Sequence, residues 1–273
     1  MYLLDMNPLL IAALLFFSIL NWSLESVKWR WTLKPISKLT FKQSFLSVLS
    51  GVAVSQVFPN KTGEYIGRLA FVENKYKWIA ALLSIWGSVS QLFMTLLFGV
   101  LGIVYLNLYQ SYQGVVIVSV LLMLLSFIVF ANLPFIISKL NWKYLVKLKQ
   151  SSPYFNRKRL SALLLISMLR YFSFVIPYLL LVYYISNSSQ YFVTIMAAIS
   201  VVFLLQTIVP SFLFSDIIAR ISIPVLVFSK LPVPVFANQL AYLPGLILYL
   251  FNLILPALFG VFIFTLKKIN DKE

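Results

Sequence analysis

The sequence contains no cysteine and no histidine, and only seven of its 273 residues are acidic. Without cysteine there is no disulfide framework, no thiolate nucleophile and no cysteine metal site. Without histidine the commonest general base and the commonest metal ligand are both missing. Any chemistry must rest on carboxylates, hydroxyls or a lysine. Charge is scarce altogether, at 11% of residues, while 61% are hydrophobic and mean hydropathy is +0.94. A soluble domain is nearer a quarter charged, so the composition excludes one and points to a polytopic membrane protein. The formal net charge of +15 does not imply nucleic acid. Lysine and arginine fall between apolar blocks, where an anionic membrane face attracts them by roughly 1 kcal/mol each.

Leader and lipidation signals are missing too. The first apolar block follows Asp5 without a basic n-region or an A-x-A site, and is expected to stay as an anchor. Tyr2 stands where myristoylation needs glycine, and prenylation has no cysteine to use.

What is present is a series of apolar blocks, which must be helical because backbone groups in lipid have to pair within their own segment. Full spans are expected at 9–31, 78–106, 114–137, 160–185 and 236–266. Two further blocks, 41–58 and 191–209, stop at Pro59 and Pro210 and give way to polar stretches. Basic residues orient the blocks. Lys28, Arg30, Lys34, Lys38 and Lys42 follow the first span, Lys75 and Lys77 precede the second, and a basic loop covers 139–159. The turns at Asn107 and Ser186 are uncharged, and Lys267 and Lys268 close the last span. The pattern, with Lys230 as its exception, predicts an all-α protein of five spans and two re-entrant or broken-helix hairpins. Its N-terminus lies outside and its C-terminus in the cytoplasm, across a plasma (inner) membrane. The second hairpin is long enough to be two spans instead, with the same parity.

The two hairpins resemble each other. Gln56, Pro59, Glu64 and Arg68 recur in order as Gln206, Pro210, Asp216 and Arg220. Gln91-Leu92 with Leu97-Phe98-Gly99-Val100 matches Asn252-Leu253 with Leu258-Phe259-Gly260-Val261, and Lys28-Trp29 corresponds to Arg170-Tyr171. The halves, 1–138 and 139–273 of one transmembrane domain, begin with spans running in opposite directions. An inverted repeat of this kind is typical of transporters.

Ionisable residues inside a membrane usually face a cavity or a partner. The candidates for headgroup binding are Glu64, Arg68, Arg170, Asp216 and Arg220, with Lys61 at the tip of the first hairpin. Glu64–Arg68 and Asp216–Arg220 are i,i+4 pairs on one helical face. Gly63 and Gly67 permit close backbone approach, and a hairpin helix starting after Thr62 would turn free N–H groups toward an anion such as phosphate. The competing reading makes each acid–arginine pair a self-neutralising latch. Arg170 has no local acid, which favours a functional role or a bond to a hairpin. Glu25 and Lys28 read as an interfacial pair, with Trp22, Trp29 and Trp31 as belt residues. Gln56, Gln91, Gln206 and Asn252 are candidate polar lining, although Ser84, Ser88, Gln91 and Thr95 also read as helix–helix contacts.

Three motifs carry a family resemblance: N-x-x-x-E-x-x-K-W at 21–29, PNKTGEYIGR at 59–68 and the pair Arg170-Tyr171. Together they resemble the lysylphosphatidylglycerol synthase transmembrane region, the flippase-like membrane part of the multiple peptide resistance factor, over essentially the whole chain. That family's second hairpin usually carries glycines before a glutamate; here the string is PSFLFSDIIAR, with Asp216. The sequence shows no counterpart of the family's soluble aminoacyltransferase domain. The resemblance therefore implies translocation or binding of an anionic phospholipid or lipid-linked headgroup, not aminoacyl transfer, with a homo-oligomer or a separate lipid-modifying enzyme as possible partner. No cofactor or metal is expected. Two other readings remain open from the residues: a membrane-embedded transferase acting on a lipid phosphate or isoprenoid carrier, and a non-transporting accessory subunit.

Overall fold

A computed structural model describes residues 6–58, 62–139, 157–186, 191–209, 213–231 and 241–270. Regular structure among the described residues is entirely helical. The order is α1 (Pro8–Leu33), α2 (Phe41–Ser55), α3 (Gly63–Leu69), a 3₁₀ turn (Asn74–Tyr76), α4 (Lys77–Tyr105) and α5 (Gln113–Lys139). It continues with α6 (Arg157–Ser186), α7 (Phe192–Ile208), α8 (Leu213–Phe228), α9 (Leu243–Tyr249), a π-helical segment (Leu250–Ile254) and α10 (Leu255–Asn270).

Local signals account for the helix boundaries. Asn7 caps α1, with Pro8 in its first turn. Thr40 and Gln43 form a reciprocal capping box on α2. The π segment has an identifiable cause: Pro256 cannot donate to the carbonyl of Asn252, four residues earlier. Two carbonyls of this segment turn to α1 instead. Ser18 Oγ donates to Phe251 O at 2.8 Å, and Trp22 Nε1 donates to Asn252 O at 3.0 Å. The last span is thereby fastened to the first at its irregular point.

Among the described residues, five helical stretches are long and apolar enough to cross a membrane: Pro8–Leu33, Asn74–Tyr105, Gln113–Asn132, Lys158–Ser186 and Leu243–Ile263. They overlap the five expected spans. The last is seen as helix from Leu243, and 236–240 lie outside the described residues, as does most of the basic 139–159 loop. At 1.5 Å per residue, α2 reaches roughly 22 Å and α3 roughly 10 Å, each short of a hydrocarbon core of about 30 Å.

Packing between helices depends on small residues and hydroxyls, as expected where lipid removes the hydrophobic drive between helices. α2 and α3 lie backbone to backbone. A Cβ on Gly67 would sit 2.6 Å from Gly51 Cα and collide with Ser50 O, and one on Gly63 would come within 2.5 Å of Val54 O. Ser47 Oγ donates to Arg68 O at 3.0 Å and closes this hairpin. α4 packs on α7 through Gly99, whose Cβ would collide with Leu204. α10 packs on α2 through Gly260, whose Cβ would collide with Leu49 O.

The distribution of polarity is the reverse of a soluble protein. Ile117, Leu121, Leu125 and Ile128 of α5 and Leu258, Phe259 and Phe262 of α10 are exposed. Asn21, Glu25, Lys28, Ser44, Ser47, Ser50 and Arg68 are buried. The buried apolar residues form two clusters. Along α1, α4 and α6 they change over between Leu14 and Trp22, between Trp86 and Leu96, and between Leu163 and Tyr171. Asn21, Gln91 and Arg170 lie within those gaps, close to the midpoints of the three long helices.

Candidate functional site

One face of α1 organises the polar interior. Asn21, Trp22, Glu25, Lys28, Trp29 and Thr32 recur at three- and four-residue spacing and share that face, and all six are buried. Glu25 is its centre, at only 4% exposure. Its carboxylate lies 2.8 Å from Lys28 Nζ, 2.8 Å from Arg68 Nη2 and 2.8 Å from Arg170 Nη1. Three helices, α1, α3 and α6, thus meet on one side chain. Arg68 is shared between Glu25 and Glu64 and is 5% exposed. Arg170 Nε also donates to Asn21 Oδ1 at 2.9 Å. Trp29 lies under the Arg68 guanidinium at 5.5 Å and Trp22 under that of Arg170 at 5.4 Å, so each cation adds an aromatic face to its carboxylate.

This arrangement corrects the interfacial reading of α1. Glu25 and Lys28 do pair, but in the interior, and Trp22 and Trp29 are buried against arginines instead of forming a belt. Glu25 was absent from the predicted headgroup-binding residues. The signal that could have found it is Arg170, an intramembrane cation lacking a local acid, while Glu25 was the one span-embedded carboxylate not assigned to a hairpin.

A cavity of 650 Å³ opens beside this network, bounded by α4, α6, α7, α8, α9 and the π segment. Arg170, Asp216, Arg220, Gln91, Gln206 and Asn252 all line it. Six of the predicted residues, from both halves of the chain, therefore converge on one space. Asp216 Oδ2 accepts from Arg220 Nε at 3.2 Å, and the Arg220 guanidinium lies 4.5 Å over the Tyr249 ring. Side-chain exposure separates the roles: Arg170 and Arg220 keep 13% and 15%, against 6% for Arg68. Gln91 Oε1, Gln206 Nε2 and both amide atoms of Asn252 have no hydrogen-bond partner among the described residues. Ile208 and Val209 line the same cavity and are exposed.

The first hairpin stands apart from this space. Arg68 and Glu64 are bonded to each other, and neither lines the cavity. Gly63 is buried against α2, so the start of α3 faces its own hairpin and not the cavity. Gln56 Nε2 donates to Val52 O at 3.3 Å and Ser55 Oγ at 3.1 Å, within its own helix end. Pro59, Lys61 and Pro210 lie outside the described residues. The α4 polar face divides. Ser84 and Ser88 bond to carbonyls of α4, and Ser88 also meets Tyr65 of α3 at 3.3 Å, whereas Gln91 and Thr95 line the cavity.

Apolar exterior, buried ion network and membrane-length helices together define a helical membrane protein with a charged internal cavity. No family model, curated protein or solved structure matches the chain.

Proposed function

We propose that this protein is a flippase-like lipid translocase, whose central cavity takes the anionic headgroup of a membrane lipid. The phosphate would lie toward Arg170 and Arg220, and the acyl chains would leave toward bilayer past Ile208 and Val209. The observation that carries this reading is two incompletely buried arginines lining one cavity inside an apolar shell. Arginine suits phosphate because its planar fork matches two oxygens at once. Glu25 and Glu64 then form, with Arg68, a latch that holds the first hairpin, and Arg170 connects that latch to the ligand.

Packing supports an inverted repeat of the two halves. Exchange α1 with α6, α2 with α7, α3 with α8, and α4 with α9–α10, and the main contacts exchange too. α4 on α7 becomes α10 on α2, α1 on α2 becomes α6 on α7, and α3 on α4 becomes α8 on α9. Gly99 and Gly260, aligned by sequence, serve these equivalent close contacts. We read the topology as five spans and two hairpins in the plasma membrane, N-terminus outside and C-terminus cytoplasmic, with the hairpins meeting near the midplane. The resemblance to the lysylphosphatidylglycerol synthase transmembrane region agrees with this function.

The test is translocation of a fluorescent anionic phospholipid in liposomes containing the purified protein. Arg220→Gln should slow it while leaving the protein folded. Equal rates for wild type and this variant would overturn the proposal.

A further inference from the structure

The ionic residues of the cavity wall, taken with the network that Arg170 joins to it, do not cancel. Among the described residues, the network and the cavity wall hold Lys28, Arg68, Arg170 and Arg220 against Glu25, Glu64 and Asp216. Four cations face three carboxylates, which leaves one positive charge uncompensated in a low-dielectric interior. A buried charge without a counter-ion is costly, so the best guest is the one that restores neutrality. A monoanion does so. A phosphomonoester dianion overshoots, and a zwitterion leaves the excess in place.

The second constraint is hydrogen bonding. Asn252 is 2% exposed and lines the cavity with both amide atoms unpartnered, as are Gln91 Oε1 and Gln206 Nε2. Whichever way these amides turn, they present donors and acceptors together. A hydroxyl donates and accepts and can satisfy both. An ammonium only donates, and a quaternary amine does neither.

Building on the reading of the cavity as a headgroup site, we infer that its ligand is a phosphodiester lipid of net charge −1 whose headgroup is an uncharged polyol. Two sources share that chemistry, a phosphatidyl-polyol and an isoprenyl phosphosugar. The phosphate neutralises the Arg170–Arg220 side of the cavity, and the hydroxyls occupy the amide side formed by Gln91, Gln206 and Asn252.

Native mass spectrometry of the purified protein, equilibrated with equimolar lipid mixtures at neutral pH, tests this. The mixture contains phosphatidylglycerol, a polyprenyl phosphohexose, phosphatidylmethanol, phosphatidate and phosphatidylethanolamine. Phosphatidylglycerol or the phosphohexose should be retained over phosphatidate and phosphatidylethanolamine by roughly tenfold or more, and whichever of the two dominates identifies the source. Phosphatidylmethanol, a monoanion without a polyol, should fall between. Asp216→Asn raises the excess charge by one and should move preference toward phosphatidate. Asn252→Asp cancels the excess and should abolish preference for anions. Asn252→Leu should keep the charge preference but lose discrimination against phosphatidylmethanol. Equal retention of phosphatidate and phosphatidylglycerol, or selectivity unmoved by the charge-altering variants, overturns the inference while leaving an anion-binding cavity. Retention of no lipid above background by wild type overturns the headgroup-site reading as well.

Discussion

Glu25→Gln is the perturbation with the largest consequence, because one carboxylate is ion-paired with three cations from three helices. Its oxygens lie 2.8 Å from Lys28, Arg68 and Arg170. Removing one partner of a buried ion pair costs about 3–5 kcal/mol, because the remaining charge stays buried and unpaired. Arg68 would retain Glu64, but Lys28 and Arg170 would lose their carboxylate, so the loss should reach at least that range. For a chain of this size the corresponding drop in Tm is roughly 6–20 °C. Glu64→Gln is the control. Its side chain is 30% exposed and Arg68 keeps Glu25, so the cost should be about 1 kcal/mol or less. Thermal unfolding in nanodiscs, followed by tryptophan fluorescence, reads both, and Trp22 and Trp29 lie against the network. Adding Lys28→Met to Glu25→Gln removes one orphaned cation and should recover part of the loss. The reasoning is refuted if Glu25→Gln melts within about 2 °C of wild type, or if Glu64→Gln is equally destabilising.

Close helix contacts make further predictions. Gly67→Ala should cost about 1–3 kcal/mol by overpacking α3 against Ser50 and Gly51, whereas Gly114→Ala, with nothing within 4 Å of the new Cβ, should leave the melting temperature unchanged in the same assay. Trp22→Phe removes the indole donor to Asn252 O and should cost about 1–3 kcal/mol in thermal unfolding by leaving that carbonyl unpaired. Gly99→Leu and Gly260→Leu should both prevent native packing, visible as loss of a monodisperse peak in size-exclusion chromatography, because each glycine meets the other half of the chain.

Hydropathy made the five long apolar helices legible, since a run of some 20 apolar residues has few alternatives in this composition. The break between α2 and α3 was legible for a different reason: proline and glycine interrupt the apolar pattern at 59–67. Gln206, Asp216 and Arg220 were found through their likeness to the first hairpin, and Arg170 through its isolation. The location of Glu25 was not recovered. An acid and a lysine three residues apart read the same at an interface as in the interior, because spacing carries no information about depth. Depth came from Arg68 and Arg170, which approach from sites 43 and 145 residues further along the chain. The separation of Arg68 from the cavity was equally hidden. Glu64 and Arg68 match Asp216 and Arg220 in sequence, but Arg68 meets a second carboxylate, Glu25, and that contact draws it away from the open space.

An experimental structure of the protein in nanodiscs containing anionic phospholipid tests the central claim most directly. A lipid phosphate within hydrogen-bonding distance of Arg170 and Arg220 is the predicted result. A cavity holding only water, with lipid confined to the outer surfaces of α5 and α10, would contradict it.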